Sequence, residues 1–218
     1  PALVPEAVAA DFAGDDFPDV ADAAAALEGA RHILIERAAE DAELVGAIRE
    51  TFWGRAALRT TPWSEEAAKS AEAQKFRDYF DFSEPLESMP SHRVLAVLRG
   101  EKEKALAFSF DGGPDDLYEA MIARTLDVDL SGAPQPAQRW LSTTVSLAWR
   151  ARQMFSATVD ARMRLRQRAE EEAVAVFAKN LKDLLLAAPA GARTTLGLDP
   201  GFRTGVKVAV VDRTGKVL

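Results

Sequence analysis

TTLGLDPGFRTGVKVAVVDRTGKVL, residues Thr194 to Leu218, is a strand pattern in a chain otherwise composed for helices. Thr195, Leu196, Gly197 and Leu198 read as a short buried strand. Asp199, Pro200 and Gly201 then break it, because proline removes a backbone donor and glycine admits positive φ. Val206, Val208, Val210 and Val211 form a second strand, with Lys207 on the alternate face. Arg213, Thr214, Gly215 and Lys216 supply a turn, and Asp212 suits that turn. Val217 and Leu218 begin a third strand. Consecutive strands usually pair, so the Val206–Val211 strand is expected between the other two.

Upstream, the segment from Ala137 to Ala188 contains neither glycine nor proline until Pro189, Ala190 and Gly191 end it. It predicts a long helical spine, bent near Phe155 to Thr158, where Phe, Ser, Thr and Val lower helix preference. Residues 1–18 read as a connector rich in Pro, Gly and Asp (Pro1, Pro5, Gly14, Asp15), with a short helix near Glu6 to Phe12. Helices are expected from Val20 to Glu40 behind Asp19, from Asp41 through Trp53, from Ser64 to about Tyr79, from His92 to Arg99, and from Asp115 to about Leu126. Tyr79 to Arg93 reads mostly as loop. Leu106, Phe108 and Phe110 alternate as a short extended stretch, and the segment from Gly132 to Pro136 is a break. The domain division is therefore connector 1–18, helical region 19–191 and terminal strands 192–218. The fold class is mainly α.

Composition narrows function. The chain has 218 residues, 48% hydrophobic, and a net charge of −7. That charge argues against a surface coated with positive potential, so any nucleic-acid contact must come from a local patch. There are no cysteines and only two histidines, His32 and His92, far apart in sequence. Disulfides and thiolate metal sites are thus excluded, and a His-based zinc site or a Ser-His-Asp triad is poorly supported. No apolar run approaches membrane-spanning length, and the start does not read as a signal peptide. A cytoplasmic protein is expected.

The local basic patch is a run of arginines: Arg150, Arg152, Arg162, Arg164, Arg166 and Arg168, opposed within that span only by Asp160. On a helix, Arg162 and Arg166 share one face and Arg164 and Arg168 another. Two readings stay open. The series is a stripe for backbone phosphates, or it is a solvated face whose charge is absorbed by Glu170 and Glu172, four residues beyond Arg166 and Arg168.

Two stretches carry a family resemblance. LGLDPGFRTGVKVAVVD (Leu196–Asp212) is similar to the opening of the YqgF branch of RNase H-like domains, a glycine, an aliphatic residue and Asp-Pro-Gly followed by a β-rich hairpin. YFDFSEPLESMPSHRVLAVLRG (Tyr79–Gly100) resembles a block of the Tex family of bacterial transcription accessory proteins. GARHILIERAAEDAELVGAIRE and the AAPAG linker fit the same order.

The resemblance implies a helical central region leading into an α/β domain of the RNase H type. That fold takes about five strands and several helices, so the sequence is expected to be a piece of a larger protein. It also implies helix-hairpin-helix and OB-fold modules elsewhere in that protein, RNA or DNA as its ligand, and the transcription machinery as a partner. In that fold Asp199 is a vestigial metal-ligand position. Two-metal hydrolysis needs several converging carboxylates, so no catalytic residue, metal or cofactor is expected here. Three function classes follow: a scaffold of a nucleic-acid-binding transcription factor, a piece of an RNase H-type nuclease, or a helical protein–protein module. The apolar strand face further predicts that the hairpin either docks on the chain's own long helix or pairs with another copy, a self-association through residues 206–218.

Overall fold

Two aspartates open the first long helices. In the computed structural model, which describes residues 5–13, 16–128, 135–188, 191–201 and 205–218, Asp22 caps α2 (Ala23–Glu40) by accepting from the Ala25 N–H at 2.8 Å. Asp41 caps α3 (Ala42–Arg55) through the Leu44 N–H at 2.8 Å. The cap of α2 is Asp22 rather than Asp19, because Asp22 is the residue whose extended backbone aims its carboxylate at the first turn. A short α1 (Pro5–Ala9) and a 3-10 turn (Ala10–Phe12) precede it. Pro1, Gly14 and Asp15 of the connector, the breaks at Gly132, Pro189 and Ala190, and Arg203 and Thr204 of the terminal motif lie outside the described residues.

The chain is mainly α-helical and divides into two units, Pro1–Ala173 and Val174–Leu218. The first unit also contains a sheet that the sequence reading found only in part. β1 (Ala57–Pro62) is central, flanked by β2 (Phe82–Pro85) and β3 (Leu106–Asp111), both antiparallel to it. Only β3 was expected. β1 is six residues and β2 four, too short for alternation to stand out, and Leu58 reaches the core only because β1 pairs with partners more than twenty residues downstream.

The expected helix from Ser64 to Tyr79 is also interrupted. Ser64 does cap α4 (Glu65–Ala68), its Oγ accepting from the Ala67 N–H at 3.0 Å. Ser70 then bonds the Ala67 carbonyl and receives the Ala73 N–H. A serine that satisfies backbone groups locally competes with the helix, and the chain resumes as a 3-10 helix from Ala73 to Tyr79. α5 (Ser91–Lys102) runs past its expected end at Arg99, with Gly100 buried inside it.

α6 (Asp115–Thr125), α7 (Gln135–Ala148) and α8 (Met154–Leu185) complete the helices. The expected bend falls earlier, as a π turn from Trp149 to Gln153. Long-range contacts fix its position. Trp149 stacks on Tyr118 at 4.1 Å and 7°, and its Nε1 donates to Asp115 at 2.7 Å. Gln153, itself buried, donates to the Ala38 carbonyl at 2.7 Å. The extra residue of a π turn turns both side chains inward. Beyond it, Ala157, Ala161, Leu165 and Ala169 form a buried stripe at four-residue spacing that joins α8 to the core.

In the second unit, β4 (Thr195–Gly201) and β5 (Gly205–Val211) pair along their whole length. The strand does not break at Asp199–Gly201; it continues through Pro200, which is tolerated because β4, paired only with β5 among the described strands, is an edge strand. Val217 bridges to Val211, and the Leu218 N–H donates to the Val210 carbonyl at 2.9 Å, so β5 lies between two neighbours. Asp212 organises the turn, accepting from the Thr214 N–H, its hydroxyl and the Lys216 N–H. β4 is exposed rather than buried, with Leu196 58% and Leu198 61% exposed, as are Val206 and Val208 of β5.

Candidate nucleic-acid interface

Each of the six arginines is placed by the π turn and by α8. Arg150 sits inside the turn, where Asp115 accepts its Nε at 3.0 Å. The Asp115 carboxyl is held below the usual carboxylate range, first by the Trp149 indole N–H and then by Arg150. Arg152 is exposed and has no carboxylate partner among the described residues.

Arg164 and Arg168 share the face of α8 that meets α3. Arg164 forks onto Glu50 at 2.8 and 3.1 Å and lies 4.7 Å from the Trp53 ring. Arg168 packs on the same ring at 5.3 Å. Its guanidinium donates to the carbonyls of Leu86, Glu87 and Met89 at 2.9, 2.8 and 2.8 Å. Glu172 is not its partner, since that carboxylate accepts from the Ser91 hydroxyl.

Arg162 and Arg166 share the face toward α5. Arg162 forks onto Glu101, one arm at 3.0 Å, and covers Phe108 at 4.8 Å. Arg166 pairs with Glu170 on its own helix at 2.7 Å. These two arginines line a cleft of about 460 Å³ together with Arg99 and Lys102 of α5. Arg99 and Lys102 were absent from the sequence reading. Nothing local marks them: they join the series only because α5 packs beside α8, more than sixty residues downstream.

The structure does not bring Asp199 into an acidic cluster. Its side chain is 76% exposed, and Lys207, its partner across the hairpin, lies at 3.9 Å. Among the described residues no three His, Cys, Asp or Glu converge as a metal site would require, and no helix is long and apolar enough to cross a membrane.

Comparison with known proteins accounts for both units. Residues 1–177 match the Tex central region-like family, and residues 193–218 match the Tex protein YqgF-like domain. The chain is 49% identical to the Neisseria gonorrhoeae protein named Transcriptional accessory protein Tex, over 98% of this chain and 28% of that protein. It is 48% identical to Escherichia coli Protein YhgF, over 100% of this chain and 28% of that protein. A more distant human relative, S1 RNA-binding domain-containing protein 1, is 27% identical over 87% of the chain and 20% of its own length. The chain thus spans about a quarter of the length of these bacterial relatives. By the order of the two matches and their extent, the chain belongs to the Tex family of transcription accessory proteins.

Proposed function

We propose that this chain is a non-enzymatic scaffold segment of a cytoplasmic, nucleic-acid-binding transcription accessory factor, whose whole length engages RNA or DNA and the transcription machinery. One observation carries the reading: the central region and the YqgF-like domain follow one another in a single chain whose relatives are named for transcription and for RNA binding. The geometry favours a scaffold. Arg150, Arg162, Arg164 and Arg168 bind the spine to α6, α5, α3 and the 86–89 loop, so most of the arginine series serves to hold helices together. Residues 192–218 are then the opening strands of the YqgF-like domain.

The test is retention of labelled RNA and DNA by the longer protein that contains this chain, across a salt series. Expected is binding that weakens steeply with salt, as phosphate contacts do. No retention at low salt, or retention indifferent to salt, refutes the reading. The nuclease reading makes a different demand: Mg²⁺-dependent cleavage that is lost on Asp199→Ala. The Asp199–Lys207 pairing gives it little support.

A further inference from the structure

We propose that the cleft between α5 and α8 holds a backbone phosphate of a single nucleic-acid strand, with Arg99, Lys102 and Arg166 as its contacts. The proposal rests on the nucleic-acid reading above and adds the place of contact. Four cations from two helices meet in this cleft, Arg99, Lys102, Arg162 and Arg166, in a chain whose net charge is −7. They are not equally available. Arg162 is spoken for by its fork on Glu101 and by Phe108, and it forms a fixed wall.

Arg99 and Arg166 are held only by exposed pairs one turn along their own helices, to Glu103 and Glu170, both at 2.7 Å. Such pairs contribute little to stability, so either guanidinium can turn to a phosphate, whose oxygens accept its planar fork and draw charge-assisted hydrogen bonds. Lys102 is exposed, with no partner among the described residues to give up. By contrast, Arg164 and Arg168 are committed to Trp53, Glu50 and loop carbonyls and cannot serve without loosening the fold.

The lining also selects the kind of anion. Leu95 and Leu98 supply an apolar side to the cleft, while Glu101 and Glu170 stand beside the cations. A polynucleotide presents a sugar and a base between charges, and these can lie on the leucines. A polycarboxylate offers the leucines only short methylene stems in place of a sugar and a planar base. The strand is therefore the better fit.

The experiment is filter binding of a fluorescent single-stranded RNA to the whole chain over a salt series. It compares wild type, the triple variant Arg99→Gln/Lys102→Gln/Arg166→Gln, and the charge-matched control Arg37→Gln/Arg124→Gln/Arg139→Gln. Losing the three cations that hold this one phosphate should make the logarithmic salt slope shallower by about 0.7 and weaken binding at moderate salt by about fivefold. The control should lose less than about threefold, since it changes only the general field. The cleft is refuted if the two triple variants bind alike, or if the wild-type chain retains no RNA at low salt. It is equally refuted if polyglutamate displaces the RNA as well as unlabelled RNA does. Should the chain fail to bind while the longer protein binds, the cleft fails and the reading of the whole protein stands.

Discussion

Replacing Arg168 by alanine removes a side chain that ties α8 both to the 86–89 loop and to α3. Its guanidinium donates to three carbonyls at 2.8 to 2.9 Å. Beneath that loop Leu86 and Met89 are 0% and 2% exposed, so the loop cannot lift without uncovering core. A hydrogen bond from a charged donor contributes about 1.5–3 kcal/mol net, and an exposed cation–π contact about 0.5–1 kcal/mol. The three carbonyl bonds share one guanidinium and are not independent, and the loop carbonyls regain water once freed. A loss of about 3 kcal/mol is expected. For a unit of this size that lowers Tm by roughly 6–12 °C. Arg168→Lys keeps the charge without the fork and should recover only part of it. Urea melts followed by tryptophan fluorescence read the effect, since Trp53 lies under the guanidinium. Arg166→Ala is the control, because its exposed pair with Glu170 contributes little to stability. If Arg168→Ala melts within about 0.5 kcal/mol of wild type, or no lower than Arg166→Ala, then Arg168 is a solvated arginine after all.

Gly100→Ala should destabilise by about 1–2 kcal/mol in the same melts, because the added Cβ would stand 2.6 Å from Leu106 Cδ1 and 3.2 Å from the Phe76 ring, an overpacking cost that exceeds the gain in helix propensity; a neutral or stabilising result refutes it. Asp115 gives a pH prediction. Its folded pKa is depressed by the Trp149 indole N–H and by Arg150, so its stabilisation is present above the ordinary carboxyl pKa of about 4 and is lost as pH falls through the lower folded value. Wild type should therefore lose stability more steeply than Asp115→Asn on acidification through that window, and parallel pH profiles would count against it. The hairpin should drive self-association: light scattering should show a larger species for wild type than for Leu198→Lys/Val208→Lys, which charges a face now 61% and 59% exposed at those positions, and equal masses would dismiss the idea.

Interactions that close within a turn or two were legible in the sequence. The caps at Asp41 and Ser64, the long spine, and the Asp212 turn all rest on groups within five residues of one another. So does the placing of Arg162 with Arg166, and of Arg164 with Arg168, on separate faces of a helix. β5 lies between its two neighbours because consecutive strands pair, which chain order alone dictates. What the tertiary structure decided depends on residues far apart along the chain. The irregular turn sits at Trp149 rather than in the weak helix formers downstream, because Tyr118, Asp115 and Ala38 hold it there. β1 becomes a central strand only between partners that flank it in space. The arginine run looked uniform as a sequence and proved to be four structural ties, one self-paired arginine and one exposed one. That division was fixed by Glu50 and Glu101, 114 and 61 residues away, and by carbonyls about eighty residues back. A single sequence states which charges it has; only the packing of helices states which of them are already spent.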